Sequence, residues 1–128
     1  MKEFTMPLKG EAAIMVNNTN CAASVKSGSL QVFATPMMLA LMEEATCNAC
    51  SLLLEDGETT VGTKVSISHD KASPIGAVIT AYATLEAVDG RKLIFSVYAK
   101  DDNGNIIGKG EIERFSVISN KFMKKVNS

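Results

Sequence analysis

One stretch limits what this chain can fold into more than any other: Ala34 to Leu54, ATPMMLALMEEATCNACSLLL, the single long segment with helical periodicity. Thr35 is a favoured N-cap residue, whose hydroxyl can accept from a free backbone N–H, and Pro36 suits the first helical position, so a helix is predicted to begin at Thr35. The apolar pattern stops at Leu54, and Glu55-Asp56-Gly57 brings a glycine able to take the left-handed conformation that closes helices. Leu41, Met42, Ala45, Ala49, Leu52 and Leu53 make one broad apolar face, while Ala40, Glu44, Asn48, Ser51 and Glu55 line a narrow polar stripe. Such a helix is buried on most of its sides, and the rest of the chain must surround it.

The remainder reads as strand and turn. Gly10 to Val16 is a first strand, Asn17 to Asn20 a turn, and Cys21 to Phe33 a small, polar, glycine-containing loop leading into the helix. After the helix, Thr59 to His69 alternates, with Val61, Thr63, Val65 and Ile67 on one side, Gly62, Lys64, Ser66 and Ser68 on the other, and His69 sharing the apolar parity. The next strand presents Ala77, Ile79, Ala81, Ala83, Leu85 and Ala87, small residues that let a helix lie close. Asp89-Gly90 and Asn103-Gly104 are hairpin signals, and the strand between them turns Leu93, Phe95, Val97 and Ala99 inward. The last strand, Ile106 to about Ser119, places Ile106, Ile112, Ile118 and Arg114 on one parity. The expected fold is a single α+β domain spanning residues 1–128, one antiparallel sheet wrapped around a central helix. Its open strand edges predict a homodimer or a dimer of dimers.

Composition excludes several function classes. Thirteen basic residues against fourteen acidic ones make no field for nucleic acid or an anionic membrane, and Lys121, Lys124 and Lys125 read as a solvated tail. No segment has the length and apolarity of a signal peptide or membrane span, so a soluble cytoplasmic protein is expected. Cys21, Cys47 and Cys50 are an odd set that builds no disulfide framework. Cys47 and Cys50 form a CxxC, but no second CxxC or histidine pair completes a metal site, and small core residues of the helix are the expected reading.

Three polar residues fall where the pattern asks for something else. Glu43 has Leu39, Cys47 and Cys50 as its helical neighbours, so this carboxylate is either paired structurally or present for chemistry, whereas Glu44 lies on the polar stripe. His69, the sole histidine, ends a strand on its apolar side, and Arg114 is a charge on an apolar strand face. A hydroxyl at Thr35, a carboxylate at Glu43 and an imidazole at His69 are the parts needed to orient water or an acyl group and move a proton in acyl transfer. Gly62 adds a point where substrate could approach the backbone and take an N–H as oxyanion donor.

The order of elements, with Phe33-Ala34-Thr35, Leu41-Met42-Glu43, Val61-Gly62-Thr63, Ser68-His69, Ala72-Ser73-Pro74, Gly76, Glu86 to Leu93 and Gly110 to Arg114, resembles a hotdog-fold acyl-CoA thioesterase of the fluoroacetyl-CoA thioesterase-like group. The likeness covers about residues 32–126. It implies Thr35, Glu43 and His69 as the catalytic set, Gly62 as a backbone donor to the thioester carbonyl, and Arg114 beside the site. It also implies no metal and no separate cofactor, CoA entering as part of the substrate. The fluoroacetyl-specific enzyme carries a longer lid with several phenylalanines before the helix; Cys21 to Gln31 has none, so a small or medium acyl-CoA is the expected substrate. A non-catalytic acyl-CoA binding module and a hydroxyacyl-thioester dehydratase are the alternatives, the second disfavoured by a histidine that follows the helix.

Overall fold

Glycine and alanine decide how the layers meet in the computed structural model, which describes residues 1–128. Strands β1 (Lys9–Met15), β2 (Glu58–His69), β3 (Val78–Asp89), β4 (Lys92–Lys100) and β5 (Ile106–Ile118) form one antiparallel sheet in the order β1-β3-β4-β5-β2. Three helices accompany it: α1 (Ala22–Val25), the long α2 (Thr35–Cys50) and α3 (Ser119–Val126). Helix α2 packs chiefly on β1 and β3 and only marginally on β2. A Cβ at Gly10 would stand 2.3 Å from the Ala49 backbone nitrogen and 2.5 Å from the Ala45 carbonyl oxygen, so β1 touches helix backbone directly. No helix is long and apolar enough to cross a membrane.

The inward residues of β3 and β4 are those expected: Ile79, Ala81, Ala83, Leu85, Leu93, Phe95, Val97 and Ala99 are buried. Ala87 is exposed, because the β3–β4 register slips between Leu85 and Ala87. In β5 the buried residue is Ile107 in place of Ile106, which is 51% exposed. Ala99 pairs with Gly108 and Lys100 with Ile106, so Ile107 is an inserted residue that takes the core position. Gly90 (φ 62°) and Gly104 (φ 82°) make the two hairpin turns.

The helix differs from expectation at both ends. Ala34 occupies the N-cap position in extended conformation with no side-chain cap, and Thr35 is already helical. The helix ends at Cys50, and Leu53 N–H bonds Cys50 O in a tighter turn that still buries Leu53, which is why the apolar pattern runs on. Gly57 belongs to the turn into β2. The loop before the helix contains α1, closed by Lys26 at φ 62° and tied back by the Cys21–Phe33 bridge. Lys121, Lys124 and Lys125 are solvated as expected, and they lie on the helix α3.

Strand β2 holds the most consequential departure. Gly62 pairs with Arg114, but Lys64 pairs with Glu113, so Thr63 is an extra residue that reverses the parity of the strand. Thr60 and Gly62 before the bulge, and Val65, Ile67 and His69 after it, therefore share the helix-facing side. Gly62 and His69, assigned by alternation to opposite faces, lie on the same one.

Candidate active site

The expected residues gather as two groups. In the first, the start of α2 meets the end of β2: Thr35 Oγ1 and His69 Nδ1 are 2.7 Å apart. Thr35 is free for this bond because the N-cap belongs to Ala34. His69 stands opposite Gly108, whose missing side chain leaves room on the neighbouring strand for Met38 and the β2 backbone. Burial holds the imidazole below its usual protonation range, opposed by the charge of Asp70, so His69 is neutral at pH 7. Its Nε2 is buried and has no protein partner. A cavity of about 350 Å³ opens beside the pair, walled by Thr35, His69, Asp70, Ala72 and the pre-helix segment from Ser27 to Leu30 with Val32 and Phe33.

The second group lies two turns along α2. Glu43 is half-buried and Glu44 exposed, as the helical stripe requires. Arg114 Nη1 donates to Glu43 Oε2 at 3.2 Å. The guanidinium is fixed from its other side, Nε donating to Thr60 Oγ1 at 2.8 Å and Nη2 to the Thr60 carbonyl at 3.0 Å. Only 6% of Arg114 is exposed, so this arginine holds Glu43 and faces no open space. A Cβ at Gly62 would stand 2.7 Å from Glu43 Oε2 and 3.4 Å from Arg114 Nη1. The glycine is what lets the carboxylate reach the strand.

Thr60 and Asp70 escaped the sequence reading. Thr60 is one polar residue among several in an alternating strand and has no spacing signal; Asp70, adjacent to the only histidine, reads as a turn residue. Cys47 is exposed and Cys50 buried, its thiol pushed up to about 11 chiefly by burial, so the CxxC pair does not face one environment.

The family model described as fluoroacetyl-CoA-specific thioesterase matches residues 16–120. The fluoroacetyl-CoA thioesterase of Streptantibioticus cattleyicolor is 41% identical over 96 residues, 75% of this chain and 68% of that protein. A phenylalanine-to-alanine variant of the fluoroacetyl-CoA-specific thioesterase FlK superposes with a TM-score of 0.90 at 30% identity, covering 99% of this chain and 98% of that one. The same variant solved with fluoroacetate and CoA gives 0.85 at 30% identity over 93% of this chain and 99% of that one. A Thermus thermophilus thioesterase superfamily member shares the hotdog fold, with a TM-score of 0.91 at 23% identity over 99% of this chain and 93% of that one. The chain is a hotdog-fold protein and belongs to the fluoroacetyl-CoA-specific thioesterase family.

Proposed function

We propose that this protein hydrolyses an acyl-CoA thioester to the free acid and CoA, using Thr35, Glu43 and His69, with Gly62 beside the reacting carbonyl. The observation that carries this reading is the Thr35–His69 pair on the wall of a cavity, with His69 Nε2 buried and unbonded. An orphaned imidazole nitrogen at a cavity is costly in a finished core and useful where a substrate supplies the partner.

Within one chain the set falls into two groups, Thr35 with His69 at the start of α2 and Glu43 with Gly62 near its middle. At about 1.5 Å rise per residue, the eight positions from Thr35 to Glu43 separate their backbones by roughly 12 Å. A second copy resolves this, its Glu43 meeting the Thr35–His69 pair of the first. Two features support such a homodimer. Strand β2 is an open edge, and Val65, on its helix-facing side, is 43% exposed because α2 barely reaches it.

In the complete site, Glu43 acts on the thioester carbonyl, as base toward a water or as nucleophile. The Gly62 backbone faces the developing oxyanion, and His69 Nε2 exchanges the proton while Thr35 fixes the ring through Nδ1. No separate cofactor or metal enters the scheme. The relatives are named for fluoroacetyl-CoA; the pre-helix segment here has no phenylalanine between Cys21 and Gln31, which supports a small or medium acyl group instead. A cytoplasmic location belongs to the same proposal and is supported by three unpaired cysteines.

Two measurements test the reading. Thiol release from acetyl- to octanoyl-CoA is expected at rates well above background, and saturable binding without release would instead identify a binding module. Mixing inactive Glu43→Gln and His69→Ala homodimers is expected to restore activity, because half of the sites in a mixed dimer contain neither change. Absence of recovery in a verified mixed dimer would place all three groups in one chain.

A further inference from the structure

We propose that the cavity beside Thr35 and His69 selects uncharged acyl groups and rejects acyl groups ending in a carboxylate, with Asp70 setting the preference. The inference rests on the thioesterase reading and adds to it the chemical class of the acyl group.

The wall that one chain contributes contains one group of fixed charge, the Asp70 carboxylate, and no lysine or arginine. Asp70 accepts a hydrogen bond from Ser68 Oγ at 2.8 Å and takes part in no ion pair, so its charge is not neutralised locally. The nearest cation in sequence, Lys71, is turned away, with Nζ 3.2 Å from Asp101 Oδ2. His69 is neutral at pH 7 because burial disfavours its charged form, so the imidazole offers a carboxylate no counter-charge. Ser27 and Ser29 contribute hydroxyls, and Gly28, Ala22 and Ala72 are small, so the remaining wall accepts a neutral aliphatic or hydroxylated chain. An acyl carboxylate entering this space would lose water, find no cation and meet a like charge, a combination that disfavours binding in a partly desolvated site.

Butyryl-CoA and succinyl-CoA make a matched pair, because both acyl chains have four carbons and only one ends in a carboxylate. At low ionic strength the wild-type kcat/KM for butyryl-CoA is expected to exceed that for succinyl-CoA by at least about tenfold. Asp70→Asn is expected to narrow that ratio about threefold or more, and Asp70→Lys to narrow it further. The ratio isolates the acyl group, since both substrates share CoA and the same chemistry at His69. A wild-type ratio near one, or a ratio that neither variant moves, would overturn the proposal while leaving thioester hydrolysis intact. Turnover of neither substrate would overturn both.

Discussion

Arg114 Nη1 lies 3.2 Å from Glu43 Oε2, and the same guanidinium is clamped by the hydroxyl and carbonyl of Thr60, so one strand residue sets the position of a helix carboxylate. Arg114→Met removes the only cation beside Glu43 and strips both Thr60 oxygens of their donor. The Glu43 side chain is 36% exposed, which screens the pair, so the expected loss is about 1–3 kcal/mol, from unsatisfied polar groups more than from charge attraction. Urea denaturation measures it. Glu43→Gln keeps a hydrogen-bonding side chain at the same place and is expected to unfold within about 1 kcal/mol of wild type while thiol release falls about a hundredfold or more.

The Thr35–His69 bond makes a second, cleaner comparison. Thr35→Ser retains the Oγ, and Thr35→Ala leaves His69 Nδ1 without a partner. The alanine variant should lose about ten- to hundredfold in kcat/KM and the serine variant only a few-fold, with little change in melting temperature for either because Thr35 caps nothing. Equal losses in both would place the importance of Thr35 in its methyl group.

The pH profile follows from the same ring. Burial lowers the protonation range of His69 below 6.5, and Asp70 partly opposes this. Activity that needs the neutral imidazole should therefore hold at pH 7 and decline only as pH falls below that value. Asp70→Asn should move the acid limb further down. Stability has the same sign. The folded protein binds the proton less readily than the unfolded chain, so the contribution of His69 is fully present above pH 6.5 and is lost as pH falls through the range below it. His69→Asn should remove this part of the dependence in thermal melts taken between pH 5 and 8.

At Gly62 an added methyl group would stand 2.7 Å from Glu43 Oε2, the end of a side chain that can rotate away. Gly62→Ala is therefore expected to fold and to lose activity about tenfold or more by displacing the carboxylate. Its crystal structure should show Glu43 moved off Arg114.

Gly10→Ala tests the opposite situation. Its methyl group would meet the backbone of Ala45 and Ala49, which cannot rotate away, so β1 and α2 must separate. A loss of about 1–3 kcal/mol is expected from this overpacking, read as a lowered urea midpoint.

Much of this protein was decided locally. The periodicity from Ala34 to Leu54 determined the helix and separated Glu43 from Glu44, since helical spacing alone assigns faces. Alternation in β3 and β4 determined their inward residues, and Asp89-Gly90 and Asn103-Gly104 marked the hairpins, because the two-residue Gly90-Arg91 turn and the five-residue loop 101–105 each hold a positive φ that glycine supplies. Other features arise from pairing between distant segments. The Thr63 bulge, which turns Gly62 and His69 to one face, exists only through register with β5, and a strand read alone has no register. Ile107 replaces Ile106 in the core for the same reason. Thr35 reads as a cap because its residue type fits that role, whereas the end of β2 supplies a histidine that its hydroxyl bonds instead. Thr60 and Asp70 matter through what folding sets beside them, a buried guanidinium and an uncharged cavity wall. Local propensity and periodicity are carried by neighbours in the chain; strand register, ion pairing and cavity lining are carried by neighbours in space.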